Sequence, residues 1–207
     1  MAIEIIELDK NIQVVVIRNY LNKTEFKEVW NELCAYLKVS GISNDQALSG
    51  AATIEGKSIS TFKENVFINS RYSSFRKYHK KFFNEIGELI KNKTLSVVYN
   101  GLFNTNQDGS WFAKCFLNHE YQGHTDVSVF TQLYYIHKEP KKFTGGDLFF
   151  NDYNYTLPYE NNMLVLFPGF ILHSVTKVES NVKLKENENR FVFTTFYGCN
   201  ILPNDPK

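Results

Sequence analysis

Two short β-prone runs open the chain, IEIIEL at 3–8 and QVVVI at 13–17, with polar turn residues between them at 9–11. They predict a pair of strands. The period then changes. Asn22 and Glu25 have the spacing of a helix capping box, and Phe26, Val29, Trp30, Leu33, Cys34 and Leu37 recur every three or four residues as one apolar stripe. A second helix is predicted over 73–92, with Phe75, Tyr78, Phe82, Ile86, Leu89 and Ile90 as its apolar face and His79 at its border. Between the helices, 41–70 is rich in Gly, Ser and Asn and keeps no period. Such a long irregular segment reads as a lid that orders when substrate binds.

From 94 onward the pattern turns to strands. TLSVVYNGLF, WFAKCFLN, SVFTQLYYIHK, GDLFF, MLVLF and RFVFTTFYG are separated by turn signals such as Asn-Gln-Asp-Gly, Lys-Glu-Pro and Phe-Pro-Gly. Two helices followed by six or more strands predict a mainly β fold with supporting helices. Its core would be a double-stranded β-helix, or jelly roll, over about 94–200, backed by N-terminal α-helices within about 1–93. No repeat or low-complexity linker divides 1–207, which reads as a single domain.

Composition narrows the function classes. Eighteen Phe and twelve Tyr in 207 residues suit a β-rich interior. The 23 basic and 22 acidic side chains nearly cancel and form no basic stripe, so no nucleic-acid partner is expected. The longest apolar stretch, 163–172, is broken by Pro168 and Gly169 and is too short to cross a bilayer, so no membrane partner is expected either. Cys34, Cys115 and Cys199 are widely spaced, and the start MAIEIIELDKN lacks the basic and apolar segments of a signal peptide. Both features point to a cytoplasmic protein with reduced thiols.

Three elements carry chemistry. In Gly123-His124-Thr125-Asp126 an extended backbone would project His124 and Asp126 to the same side, toward one point. In Phe167-Pro168-Gly169-Phe170-Ile171-Leu172-His173 an apolar strand, a Pro-Gly turn and a histidine could bring His173 beside that pair. Two imidazoles and one carboxylate make a facial triad that leaves positions open for other ligands, a donor set suited to Fe(II). In the third element, Arg190 heads the apolar run RFVFTTF, and strand alternation puts Arg190, Val192 and Thr194 on one face. A buried guanidinium calls for an anionic partner, and its planar fork matches a carboxylate.

Together these elements resemble the 2-oxoglutarate-dependent Fe(II) oxygenase superfamily, and within it the prolyl 4-hydroxylase-like branch. The resemblance covers about 115–198. It runs in order through His124-Thr125-Asp126, Leu133-Tyr134-Tyr135-Ile136, Gly145-Gly146-Asp147-Leu148, the Phe167-Pro168-Gly169 turn before His173, and Arg190 to Phe196. The opening QVVVIRNYLNKTEF is also similar to the family's usual start. The resemblance implies that His124, Asp126 and His173 bind Fe(II), that Arg190 pairs with the far carboxylate of 2-oxoglutarate, and that Tyr135 and Thr194 add hydroxyls to that pocket. It further implies O2 as cosubstrate and admits ascorbate as an accessory reductant. The implied reaction is hydroxylation of an unactivated C–H bond with release of succinate and CO2, and a carboxylate at 126 favours that outcome over halogenation.

One feature departs from the family. Arg190 lies further beyond the distal histidine than its basic residue usually does, across the polar stretch VESNVKLKENEN. Lys183, nearer the usual spacing, is therefore a rival for the same role. The substrate is open among an amino-acid residue in a protein or peptide, a free amino acid and another small metabolite, with 41–70 and 104–122 (including Trp111, His119 and Tyr121) as candidate linings of its approach. The competing reading is a non-catalytic jelly-roll module that binds a metal or ligand in the same pocket.

Overall fold

The computed structural model describes residues 1–39, 53–54, 57–58, 63–67, 73–92, 94–115 and 117–199. In chain order the elements are β1 (Ala2–Asp9), β2 (Ile12–Arg18), α1 (Lys23–Val39), β3 (Thr53–Ile54), β4 (Lys57–Ser58), β5 (Lys63–Phe67), α2 (Ser74–Lys77) and α3 (His79–Lys91). A 3-10 segment at Val97–Asn104 follows, then β6 (Gln107–Cys115), β7 (Tyr121–His124), β8 (Phe130–Ile136), β9 (Leu148–Phe150), β10 (Tyr155–Leu157), β11 (Met163–Pro168), β12 (His173–Val175) and β13 (Arg190–Gly198).

A seven-stranded sheet in the order β1-β2-β11-β8-β13-β6-β5 faces a four-stranded one in the order β10-β9-β12-β7. Every pairing within them is antiparallel. The result is mostly β, with two main sheets and a jelly-roll fold. The long central strands alternate, so the large sheet has two buried faces. One presents Val15, Ile17, Tyr134, Phe191 and Phe193 to a cluster shared with Val29 and Leu33 of α1, Phe75 of α2, and Phe82 and Ile86 of α3. The other presents Val16, Leu133, Tyr135, Val165 and Val192 to Leu148 and Phe150 of the small sheet. The second cluster is the interior in which the candidate chemistry lies.

The capping box forms as its spacing predicts. Asn22 Oδ1 accepts the N–H groups of Thr24 at 2.9 Å and Glu25 at 3.0 Å, and Glu25 Oε2 accepts the Asn22 N–H at 2.8 Å.

The second predicted helix is broken in two at Tyr78, whose N–H turns back to Phe75 O at 3.1 Å rather than one residue further. The Tyr78 carbonyl accepts the Tyr20 hydroxyl at 2.9 Å. A tertiary bond here competes with continued helix.

The run TLSVVYNGLF is also not a strand. Tyr99 and Leu102 are buried while Val97 and Phe103 are exposed, a spacing of three that matches a 3-10 turn. The Tyr99 hydroxyl reaches the carbonyls of Gln13 and Leu166.

The predicted turn Asn-Gln-Asp-Gly lies at and within the start of β6, where Gln107, Asp108 and Gly109 pair with Gly198, Tyr197 and Phe196. Arg76 holds Asp108 there at 2.7 Å.

Within the segment read as irregular, β5 adds an edge strand beside β6, and β3 pairs with β4. The rest of the expected lid over 41–70 lies outside the described residues.

Because Asn22 satisfies two otherwise orphaned donors, Asn22→Ala should cost about 1 kcal/mol, or about 2–4 °C in Tm, whereas Asn22→Gly should cost only a few tenths. Thermal unfolding of the two variants checks this. Equal losses would mean that the cap bond is not what matters at this position.

Candidate functional site

The small sheet and the turn after β11 bring the sequence-distant His173 to the neighbouring pair His124 and Asp126. His173 of β12 is the direct cross-strand partner of His124, the last residue of β7. Their ring centroids lie 4.3 Å apart. Asp126 lies beyond the end of β7, so strand alternation alone does not aim it. Its N–H donates to Gly169 O at 2.8 Å, which ties the loop after β7 to the Pro168-Gly169 turn. Gly169 fits this junction because it has no side chain, since a Cβ there would stand 2.1 Å from Ser128 O. Asp126 Oδ1 is 3.6 Å from His124 Nε2 and Asp126 Oδ2 is 3.6 Å from His173 Nε2. Among the described residues, these three offer ligand atoms that all lie within 4.8 Å of one another.

Hydrogen bonds fix which atoms face inward. His124 Nδ1 lies 2.9 Å from Gln122 O and His173 Nδ1 lies 2.8 Å from Ile171 O. A carbonyl can only accept, so each Nδ1 carries the proton and each Nε2 keeps its lone pair for a metal. The Thr131 hydroxyl donates to Asp126 Oδ2. Burial pushes the Asp126 carboxyl up, but the neighbouring His124 and His173 and the Thr131 bond outweigh it and hold the group below its ordinary value. Burial lowers His173, outweighing the opposite pull of Asp126. Near neutral pH the carboxylate is therefore charged and the His173 imidazole neutral, the states that ligation requires. This donor set of two imidazole nitrogens and one carboxylate fits Fe(II).

From these ligands the inner face of the large sheet runs on in rows set by its register. Thr131, which touches Asp126, lies opposite Phe196 and Phe167. The next row is Trp111, Thr194, Leu133 and Val165, and the one after is Ala113, Val192, Tyr135 and Met163. Arg190 lies beyond, at the start of β13 on the same face.

Arg190 is 1% exposed. Its Nε–H donates to Gly146 O at 2.8 Å. Its guanidinium carbon lies 5.1 Å from the Tyr135 ring centroid and 4.8 Å from that of Tyr159. The Tyr135 hydroxyl is buried and makes no hydrogen bond among the described residues. Burial pushes it up to about 12, with Arg190 partly opposing, so it remains a proton donor. Thr194 is half-buried on this face, and Lys183 is exposed in the loop before β13.

Sequence reasoning missed several residues here. Gly146 has φ +73, and a Cβ on it would come within 2.4 Å of Arg190 Cδ, so the Gly-Gly turn makes room for the arginine as well as turning the chain. Tyr159 carried no local signal, because its partners Asp147, Ile136 and Phe191 are remote in sequence, and nothing in the residue type of Thr131 marks it as the partner of Asp126. Of the residues expected near the approach, Trp111 lies opposite Thr194, and Tyr121 stacks on His124 at 4.2 Å. The His119 carbonyl accepts the Val178 N–H at 3.0 Å.

No protein-family model matches the chain, and neither does any curated protein. Solved structures do match. A viral collagen prolyl hydroxylase from Paramecium bursaria Chlorella virus-1, in complex with 2OG, aligns with TM-score 0.57 and 12% identity over 90% of this chain and 96% of that one. A prolyl-4-hydroxylase from Pseudomonas putida aligns with TM-score 0.53 and 13% identity over 90% and 92%. At such identities the likeness is one of fold, and this chain has the fold of those prolyl hydroxylases.

The Thr131 bond orients Asp126 and stabilises its charged form. Thr131→Val should therefore weaken Fe(II) binding roughly 10–100-fold while Thr131→Ser retains most of it. Anaerobic metal titration reads this directly, and an unchanged affinity in the valine variant would remove Thr131 from the account.

Proposed function

We propose that the chain is a Fe(II)- and 2-oxoglutarate-dependent dioxygenase that hydroxylates an unactivated C–H bond of an amino-acid residue, a peptide or a small metabolite. The observation that carries the reading is the convergence of His124 Nε2, His173 Nε2 and the Asp126 carboxylate inside a prolyl-hydroxylase fold. When bound, the iron and cosubstrate would supply the oxidising power, with O2 divided between the succinate formed from 2-oxoglutarate as CO2 leaves and the hydroxyl of the product.

The chain's own residues hold and orient. The two imidazoles and the carboxylate would hold the metal and, being three donors, would leave coordination positions for other ligands. Arg190 receives the far carboxylate of 2-oxoglutarate in a charge-assisted pair, and the Tyr135 hydroxyl donates to the same group. Leu133 and Val192, in the rows between, give the cosubstrate's methylene groups an apolar wall, and Thr194 adds a hydroxyl beside them.

Anaerobic addition of Fe(II) and 2-oxoglutarate should produce a visible metal-to-ligand charge-transfer band, and air should then yield succinate. His124→Ala, Asp126→Ala and His173→Ala should each abolish both signals without unfolding the protein. Absence of the band in the unaltered protein would favour a non-catalytic binding module instead.

The anchor has its own test. Removing one partner of a desolvated charge pair costs roughly 3–5 kcal/mol, so Arg190→Ala should weaken 2-oxoglutarate binding about a hundredfold or more. Lys183→Ala, at an exposed position, should change it less than about fivefold. Calorimetric titration of the Fe(II)-loaded variants decides the matter, and the reverse ranking would assign the anchor to Lys183.

A further inference from the structure

The geometry points to Lys141 as a second positive charge of the cosubstrate subsite, acting with Arg190 across the ring of Tyr159 to favour ligands that end in a carboxylate. This rests on the reading that Arg190 anchors 2-oxoglutarate. It adds a residue outside every motif of the sequence.

Lys141 belongs to the loop Lys138-Glu139-Pro140-Lys141-Lys142, whose three lysines have different fates. Lys138 and Lys142 reach Glu188, at 3.8 and 2.9 Å. Lys141 turns to Tyr159 instead. Its Nζ donates to the Tyr159 carbonyl at 3.2 Å and lies 5.2 Å from that ring's centroid and 5.0 Å from that of Phe143. Arg190 stands 4.8 Å from the same Tyr159 centroid, so the two cations are no more than about 10 Å apart.

Tyr159 is fixed as the piece between them. It is 2% exposed. Its hydroxyl lies 2.7 Å from Ile136 O and 3.1 Å from Phe191 O, bridging β8 and β13, and its N–H donates to Asp147 Oδ1 at 2.8 Å. The ring therefore cannot slide away from either cation.

Charges of both signs act on Lys141. Burial lowers the Lys141 ammonium, Asp147 opposes that, and Arg190 adds to the lowering. Glu139 and Glu160 also act on it. Their side chains are 63% and 43% exposed, so water screens them, and Glu160 is engaged by Arg18 at 3.1 Å. Among the described carboxylates that act on Lys141, Asp147 is thus the one neither exposed nor engaged by Arg18. An arriving carboxylate at Arg190 relieves the repulsion between the cations and gains attraction from both. Lys141 remains at the surface side of Tyr159, so it acts through the field and through the ring and does not touch the reacting atoms.

The test is calorimetric titration of the Fe(II)-loaded protein, without oxygen, using 2-oxoglutarate and the monocarboxylate 2-oxobutyrate as probes. Lys141→Met should weaken 2-oxoglutarate about three- to tenfold, with the loss shrinking as salt is raised. It should leave 2-oxobutyrate unchanged, because that probe has no far carboxylate. Lys141→Arg should stay within about twofold of the unaltered protein, and Lys138→Met should match it. The proposal is overturned if Lys141→Met binds 2-oxoglutarate normally, weakens both probes equally, or is matched by Lys138→Met. Arg190→Ala run alongside separates the two readings. If it loses affinity while Lys141→Met does not, only the present inference fails, whereas normal affinity in Arg190→Ala removes the anchor itself.

Discussion

The pairing of β12 with β7 is the constraint on which the candidate site depends. These are short strands, of three and four residues, and their cross-strand partnership is what puts His173 opposite His124. Short strands hold register poorly by themselves. Here the register is imposed from the large sheet. β11 is locked between β2 and β8, and the chain leaves it through Pro168 and Gly169 directly into β12. The Asp126 N–H to Gly169 O bond then joins the far side of the site to that same turn. The Thr131 hydroxyl, from β8, completes the connection. All three candidate ligands are thus referenced to the interior strands of the larger sheet, where displacement would disturb a buried apolar core.

At the far end of the same sheet face the problem is the opposite one, keeping a charge inside. An arginine 1% exposed has given up most of its hydration, which is costly without compensation. Two aromatic faces and the Gly146 carbonyl offset part of that cost. The absence of a Gly146 side chain lets the guanidinium stem pass. Between the metal ligands and Arg190 the inward face of β6, β8, β11 and β13 is mostly apolar, with polar groups at its two ends. Strand alternation makes this possible, because the opposite face of the same strands builds the separate aromatic core around Phe112, Phe191 and Phe193.

How much of this was legible in the amino-acid order depended on the range of the interactions. The capping box at Asn22 and the run Arg190 to Gly198 could be read because their signals are local and mutually consistent. The distal histidine and Arg190 could be noticed because their residue types are unusual beside apolar runs, and the His-x-Asp pair by its i, i+2 spacing. The helix break at Tyr78, the 3-10 segment with its buried Tyr99 and the strand start at Gln107 could not. Each is decided by a partner remote in sequence: Tyr20, Gln13 and Leu166, and Phe196 to Gly198. Tyr159 belongs to the same class, since every polar atom it uses meets another segment.

The unusual distance between His173 and Arg190 has a structural explanation of the same kind. Counting residues from the distal histidine assumes that the intervening loop sets where the next strand begins. In this chain the loop ends in a knot of its own. Glu188 accepts the Lys185 N–H at 3.0 Å, and Asn189 donates to the carbonyls of Lys185 and Glu186. Lys142 at 2.9 Å ties Glu188 back to the body of the protein. Beyond the knot, β13 pairs without interruption from Arg190 to Gly198 along β6, and from Phe191 to Tyr197 along β8. The register of β13 is therefore fixed by its neighbours and its anchor, and added loop length is absorbed at the surface at small entropic cost. Arg190 reaches its row whatever the spacing. Lys183, inside the absorbed length, remains in solvent.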